Sequence, residues 1–138
     1  MSTEITYKTD LSDVDWAEMK ATLKQDRFDN GRTPEQLRES FEKSYATAIA
    51  YADGKIIGTA RALSDGVCNA YVVDVWTLTT YRNRGVARTM LGLLDERLEG
   101  QHVYLFTDDA VGLYEKCGYT AQDIGMGKVV GKWLENST

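Results

Sequence analysis

Hydrophobic and polar residues follow one another along this chain in periods that predict helices and strands. The alternation in Ile5–Lys8 is typical of a short strand. Between residues 13 and 28, Trp16, Met19 and Leu23 recur at spacings of three and four, which places them on one face of a helix. We therefore expect a strand followed by an amphipathic helix.

A second helix is predicted to begin at Thr33. This threonine suits the N-cap position, Pro34 suits the first helical position, and Gln36 completes a capping box with Thr33. Leu37 and Phe41 follow at helical spacing and form the buried stripe of this helix.

Three strands are predicted after the second helix. Residues 47–52 and 55–63 are rich in strand-forming residues and flank an Asp-Gly pair, which is a good signal for a hairpin. The segment from 71 to 78 is apolar on both faces except at Asp74 and Thr77, as is typical of a central strand.

The remaining pattern predicts a long helix from 85 to 98, a strand at 103–106, a short helix at 110–116 and a final strand at 128–133. A strand–helix–strand unit around the long helix implies one parallel pair inside an otherwise antiparallel sheet. We therefore expect a single domain over residues 1–138 with a mixed α/β fold, in which a twisted mixed sheet carries helices on both faces.

Composition and charge exclude several classes of protein. The 138 residues are 43% hydrophobic and 27% charged, which fits a globular domain and not a disordered or collagen-like chain. The net charge of −5 does not favour a nucleic-acid binder, because such proteins need a basic face. Two cysteines without a CxxC pair, and a single histidine, predict neither a disulfide scaffold nor a metal site. No apolar run spans a bilayer and no signal peptide is apparent, so we expect a cytoplasmic protein that binds no membrane.

An arginine-rich turn is the strongest chemical signal in the sequence. It joins the predicted central strand to the long helix, and it reads Tyr81-Arg82-Asn83-Arg84-Gly85-Val86-Ala87-Arg88. Backbone amides at a helix N-terminus bind anions, and small residues let phosphate oxygens approach the backbone closely. We expect this turn to bind a diphosphate; the alternative is a structural glycine among solvated arginines.

Two segments resemble motifs of the GNAT superfamily of N-acetyltransferases. Arg82-x-x-Gly85-x-Ala87 matches the superfamily's pyrophosphate signature, Arg/Gln-x-x-Gly-x-Gly/Ala. The segment 113–119, LYEKCGY, is similar to the superfamily's Leu-Tyr-Glu-Lys-x-Gly-Phe segment. A looser likeness to arylalkylamine-type members suggests an amine substrate. The sequence departs from the pattern at Thr107, where relatives often carry asparagine, and it lacks a glutamate in the central strand.

The resemblance implies a GNAT fold whose central parallel strands are splayed to hold acetyl-CoA, without a metal. The pantetheine arm would lie along the strand that ends at Trp76, Thr77 and Leu78. The pyrophosphate would be bound by residues of the turn and the following helix: Arg82, Arg84, Gly85, Val86, Ala87, Arg88 and Thr89.

The implied activity is direct transfer of an acetyl group to a primary amine of a small molecule or a peptide. The alternative is a non-catalytic CoA-binding module that regulates a partner. The oligomeric state stays open, with a homodimer among the possibilities that the family offers, and the identity of the acceptor is equally open.

Tyr114 and Asp74 are the predicted catalytic residues. The resemblance implies that Tyr114 protonates the departing CoA thiolate, because a phenol with a pKa of about 10 is protonated at neutral pH. Asp74 is the charged residue of an otherwise apolar strand, and a buried carboxylate needs a partner. It either faces the cleft as a base for the substrate ammonium or pairs with Arg61 on the preceding strand. Tyr71, Asp108 and a chain of waters are the other candidates for the base.

Overall fold

A five-stranded mixed sheet forms the centre of the fold. The computed structural model describes residues 4–122 and 124–134. The strands are β1 (Ile5–Lys8), β2 (Ala46–Ala52), β3 (Lys55–Ser64), β4 (Asn69–Thr77) and β5 (His102–Tyr104). They lie in the order β1-β2-β3-β4-β5, antiparallel from β1 to β4 and parallel between β4 and β5. The prediction of a mixed sheet with one parallel pair is confirmed.

The helices of the described ranges cover both faces of this sheet. On one face lie α1 (Trp16–Gln25) and α2 (Pro34–Glu42); on the other lie α3 (Val86–Asp95) and α4 (Val111–Lys116). A short 3₁₀ turn, Thr79–Tyr81, follows β4. Within residues 4–122 and 124–134, no helix combines the length and the apolar character that crossing a membrane requires. The predicted placement of helices on both faces is confirmed.

Side-chain caps determine where the first two helices begin. The Thr33 hydroxyl accepts from the Gln36 amide at 3.1 Å, and Gln36 Oε1 accepts from the Thr33 amide at 2.9 Å, so the predicted capping box is confirmed. The α1 helix begins later than predicted because Asp15 caps it and accepts from the Glu18 amide at 3.0 Å. It also ends earlier, because Arg27 adopts a left-handed backbone conformation with φ 62°.

Small residues on β2 and β3 let α3 lie close to the sheet. Ala48, Ala50 and Ala60 are fully buried in the core beneath α3. A Cβ at Gly58 would come within 3.1 Å of the Met90 side chain, so glycine permits this close approach. The core under α1 and α2 uses larger side chains, which include Met19, Leu23, Leu37, Phe41, Ile49 and Trp76. This packing fixes α3 so that its N-terminus lies just beyond the end of β4.

The chain after α4 does not form the predicted final strand. The prediction of a strand at 128–133 is wrong, because these residues have no strand partner in the structure. Ile124 and Met126 are each 91% exposed and Val130 is 84% exposed. Three glycines between residues 125 and 131 weaken strand formation, since glycine brings no side chain to pack. In the described part of the chain the sheet therefore ends at β5.

Candidate active site

A gap opens in the sheet where β4 continues beyond β5. The parallel pairing ends at Tyr71 and Tyr104, whereas β4 continues to Thr77. A cavity of about 950 Å³ lies in this gap. Its lining comes from four parts of the chain: residues 26–28, 71–77, 81–88 without Arg84, and 105–114 without Val111. The predicted splay of the parallel strands is confirmed.

A bulge in β4 forms part of the cavity wall. The register between β3 and β4 shifts so that Asp74 and Val75 together lie opposite Ala60. Asp74 has φ 57°, in the left-handed region. Its carbonyl accepts a hydrogen bond from the Thr59 hydroxyl at 2.8 Å. Bulges of this kind bend a strand and are frequent next to active sites.

Both carboxylate oxygens of Asp74 accept hydrogen bonds from arginines. Arg32 donates to the two oxygens at 2.9 and 3.0 Å, and Arg61 donates from Nε at 2.5 Å. The predicted pairing of Asp74 with Arg61 is therefore confirmed. Asp74 also belongs to the cavity lining, where the two guanidinium groups compete with the predicted role of its carboxylate as the general base. Sequence reasoning missed Arg32, which lies 42 residues before Asp74 and follows no pattern that would reveal the contact.

Gly85 forms the turn between the end of β4 and α3. It has φ 77°, and a Cβ there would meet nothing within 4 Å, so the glycine serves the backbone conformation. The first hydrogen bond of α3 runs from the Thr89 amide to the Gly85 carbonyl at 3.0 Å. The amides of Val86, Ala87 and Arg88 therefore have no partner within the helix. Since these residues line the cavity, the helix N-terminus offers it an anion-binding surface.

The arginines of the turn lie in different environments. Arg82 and Arg88 are exposed and line the cavity. The Arg82 Nε donates to the Thr77 carbonyl at 3.3 Å, which holds this side chain near the end of β4. The Arg84 guanidinium lies over the Tyr81 ring at 5.0 Å from its centroid. Three predicted cofactor-binding residues lie outside the cavity lining: Leu78, Arg84 and Thr89.

The end of β4 contributes one core residue and one residue with an unsatisfied polar atom. Trp76 is 2% exposed, and its Nε1 donates to the Asp26 carboxylate at 2.8 Å. Burial acts to raise the pKa of Asp26, but hydrogen bonds from Thr79 and Trp76 outweigh it and lower that pKa below its usual value. The Thr77 hydroxyl is buried and has no hydrogen-bond partner among the described residues. A buried polar atom without a partner, on a residue that lines a cavity, points to a ligand.

Tyr114 lies on α4 and lines the cavity with 9% of its surface exposed. Its ring meets the ring of Tyr119 edge-on, with 5.8 Å between centroids. Burial, together with the nearby Cys117 and Asp109, raises the pKa of Tyr114 above its usual value, so the phenol is protonated at neutral pH. Burial also raises the pKa of the Cys117 thiol, which keeps this cysteine from being a ready nucleophile.

Three aromatic side chains from separate elements are exposed in the cavity. Phe28 follows α1, Tyr71 lies on β4 and Phe106 follows β5; they are 42%, 38% and 68% exposed. The rings of Tyr71 and Phe106 meet edge-to-face with 5.9 Å between centroids. Exposed apolar clusters in a concave surface mark ligand sites. Sequence reasoning considered Tyr71 and missed the other two, because both lie just outside the regular elements. Asp108 also lines the cavity and is exposed.

Comparisons with known proteins agree with this geometry. The model of the acetyltransferase (GNAT) family matches residues 9–119. A Gibberella zeae protein, provisionally named an acetyltransferase, is 36% identical over 64 residues, which are 44% of this chain and 36% of that protein. The chain therefore matches about a third of the length of this curated relative.

Solved structures share the fold at low sequence identity. A GNAT-family acetyltransferase from Streptococcus pneumoniae superimposes with a TM-score of 0.78 at 20% identity, over 94% of this chain and all of that one. An aminoglycoside N-acetyltransferase, solved in complex with CoA, superimposes with a TM-score of 0.68 at 17% identity, over 96% of this chain and 98% of that one. Likeness at this level of identity shows a common fold.

Proposed function

Since this chain belongs to the acetyltransferase (GNAT) family, whose model covers residues 9–119, we propose that it is an acetyl-CoA-dependent N-acetyltransferase. Its acceptor is a primary amine of a small molecule or a peptide, and residues 1–138 act as one catalytic domain. The observation that carries the proposal is the cavity between β4 and β5, which runs from the exposed aromatic residues to the N-terminus of α3.

Acetyl-CoA fits the residues that line this cavity. The free amides of residues 86–88 and the exposed Arg82 and Arg88 suit the pyrophosphate, because both the helix N-terminus and guanidinium groups attract phosphate oxygens. The buried Thr77 hydroxyl and the unpaired backbone of β4 supply hydrogen-bonding groups for an extended amide-containing arm. Acetyl-CoA, when bound, supplies the thioester from which the acetyl group is transferred.

Tyr114 serves in this proposal as the general acid for the departing thiolate. It lines the cavity, and its raised pKa keeps the hydroxyl protonated and able to donate. Cys117 has no covalent role, because its thiol is protonated at neutral pH and the transfer needs no acyl-enzyme.

In this proposal the general base is Tyr71, Asp108 or water, and not Asp74. The Asp74 carboxylate already accepts three hydrogen bonds from Arg32 and Arg61, and these guanidinium groups compete with a substrate ammonium for it. Tyr71 and Asp108 both line the cavity and are exposed. Because these residues are exposed to solvent, water can also carry the ammonium proton away from the cavity.

The acceptor end of the cavity favours an amine with an apolar body. The exposed rings of Phe28, Tyr71 and Phe106 provide apolar area that a ligand would cover on binding. A compact polar amine would leave this area in water and gain little from it.

The experiment is an acetyl-CoA-dependent assay of free thiol release. The panel contains polyamines, arylalkylamines, aminoglycosides, amino acids and peptide N-termini, and mass spectrometry identifies the acetylated product. We expect amine-dependent thiol release that exceeds the hydrolysis seen without amine. A protein that binds acetyl-CoA and leaves it unchanged with every amine would be the CoA-binding module, and stronger binding of ATP or NAD than of CoA would contradict both readings.

A further inference from the structure

Asp74 occupies a backbone position that ordinarily belongs to glycine. Its φ of 57° lies in the left-handed region, at the bulge where Asp74 and Val75 face Ala60. A left-handed bulge residue is usually glycine, because a side chain makes this conformation costly. Aspartate adopts this conformation more readily than most residues, but still at a cost that the surrounding contacts must offset.

The side chain of Asp74 has the contacts that such a constraint requires. Arg32 grips both carboxylate oxygens and Arg61 adds a third hydrogen bond, while the carbonyl of Asp74 accepts from the Thr59 hydroxyl. The side chains of Arg32, Asp74 and Arg61 are 9%, 11% and 12% exposed. Charge-assisted hydrogen bonds in such partly dry surroundings are strong and directional.

The bulge lies where β3 alone pairs with β4. Pairing with β5 has already ended at Tyr71, and Asp74 has no register partner on β3. The same stretch of β4 lines the cavity. Its backbone geometry at the bulge therefore depends on the contacts of Asp74, and Arg32 contributes two of the three hydrogen bonds to the carboxylate.

We infer that Arg32 is a positioning residue for the acetyl-CoA site: its bidentate grip keeps Asp74 in the left-handed conformation that shapes the cavity wall of β4. Arg32 lies in the connection between α1 and α2, where its Nε also donates to Asn30 Oδ1 at 2.9 Å. This connection, on the acceptor side of the fold, is thereby coupled to the strand that binds the cofactor. The inference rests on the proposed function for its effect on the affinity for acetyl-CoA, whereas its effect on the backbone of Asp74 does not.

The first test is Arg32→Met. This change leaves a one-to-one pair of Asp74 and Arg61, so no buried carboxylate loses its partner. We expect NMR chemical shifts and residual dipolar couplings of the free protein to place φ of Asp74 outside the left-handed region in a substantial fraction of molecules. The Kd for acetyl-CoA should weaken about 10-fold, because the competent strand conformation becomes a minor one. Arg38→Met is the matched control, since Arg38 pairs with Glu42 on the exposed face of α2.

The second test is rescue by glycine at the bulge. In the double variant Arg32→Met/Asp74→Gly, glycine adopts the left-handed conformation without hydrogen bonds from Arg32. We expect affinity for acetyl-CoA to return to within about 2-fold of wild type, although Arg61 loses its carboxylate and the melting temperature falls further. A structural role alone predicts the opposite order, in which affinity follows stability and the double variant is the weaker binder.

A conservative variant and a ligand-free measurement complete the design. Arg32→Lys keeps the charge but not the bidentate geometry, so we expect a Kd between wild type and Arg32→Met. An unchanged φ of Asp74 in Arg32→Met, or a double variant that binds more weakly than the single one, would overturn the inference. A wild-type protein that acetylates no amine would instead contradict the proposed function. The residual dipolar couplings at Asp74 would still decide whether Arg32 holds its backbone conformation.

Discussion

Gly85 and Asp74 are two of the cavity-lining residues with a left-handed backbone conformation, and they reach that conformation by different means. Gly85 at the start of α3 has φ 77° and open space around its α-carbon, so its own chemistry is sufficient. Asp74 in β4 has φ 57° and depends on arginines 13 and 42 residues away. The first position is specified locally, whereas the second is specified by the tertiary structure. Substitutions at the two positions should therefore fail in different ways.

The largest effect is expected from Gly85→Glu, which attacks the locally specified position. The new carboxylate would lie beside the pyrophosphate, and two like charges about 4 Å apart near a protein surface repel by about 4 kcal/mol. We expect acetyl-CoA affinity to fall on the order of 10³-fold, measured by calorimetry or by ligand-induced thermal stabilisation. Gly92→Glu is the control, because Gly92 is an exposed residue of α3 with open space around it. Wild-type stabilisation of Gly85→Glu by acetyl-CoA would remove the turn from the binding site.

The same difference explains which parts of the molecule the sequence could predict. The capping box at Thr33 and the turn at Gly85 depend on residues within a few positions of one another, so motif spacing reveals them. The mixed sheet joins distant residues, but the periodicity of its strands and the strand–helix–strand unit around α3 predict it. The hydrogen bonds from Arg32 to Asp74 join residues that are 42 positions apart and become neighbours only in the folded chain, which no local pattern encodes.

The predicted strand at 128–133 failed for a related reason. Its residue types favour a strand, but a strand needs a neighbour, and the chain does not return to the edge of β5 in the described structure. Two of the three exposed aromatic residues of the cavity could not be predicted either. Phe28 and Phe106 follow the ends of α1 and β5, where hydrophobic periodicity gives no information about which cavity a side chain faces.

Substituting asparagine for Gly85 and for Asp74 distinguishes the effect of backbone strain from the effect of a lost charge. Asparagine tolerates this conformation better than most residues, so Gly85→Asn should change the free energy of unfolding by less than about 1 kcal/mol. Asp74→Asn leaves two arginines in partly buried surroundings without a counter-charge, and it should lower that free energy by about 3 kcal/mol. Chemical denaturation measures both values. If Asp74→Asn keeps its melting temperature and instead loses kcat/KM for amines, Asp74 is the general base after all.

Tyr114→Phe tests the proposed acid catalysis in the cavity to which Gly85 and Asp74 both belong. The change removes the hydroxyl and keeps the ring packed against Tyr119, so the Kd for acetyl-CoA should stay within about 2-fold while kcat falls on the order of 10²-fold. The control is Tyr119→Phe, because Tyr119 does not line the cavity. Equal turnover of Tyr114→Phe and wild type, under conditions where chemistry is rate-limiting, would exclude Tyr114 as the acid.

The pH dependence of turnover gives a second measure of the role of Tyr114. Burial raises the pKa of this phenol above its usual value of about 10, so the acid stays protonated to higher pH than a free tyrosine. Ionisation of Tyr114 should therefore reduce kcat only above about pH 10. Tyr114→Phe should lose that alkaline limb, whereas a limb that persists in the variant belongs to another group.

The smallest effect is expected at the aromatic rim, where neither backbone strain nor buried charge is involved. Phe106→Ala removes a ring that is 68% exposed, so the fold should lose little stability. Only a ligand that covers the ring should bind more weakly. We expect KM for amines with a large apolar body to rise about 5-fold, and KM for acetyl-CoA and for compact polar amines to stay unchanged. Val111→Ala is the matched control, because Val111 is 52% exposed on α4 and does not line the cavity. An equal rise in KM for all amines would mean that Phe106 shapes the entrance generally and does not select the acceptor, and an unchanged KM for apolar amines would remove the rim from the acceptor site.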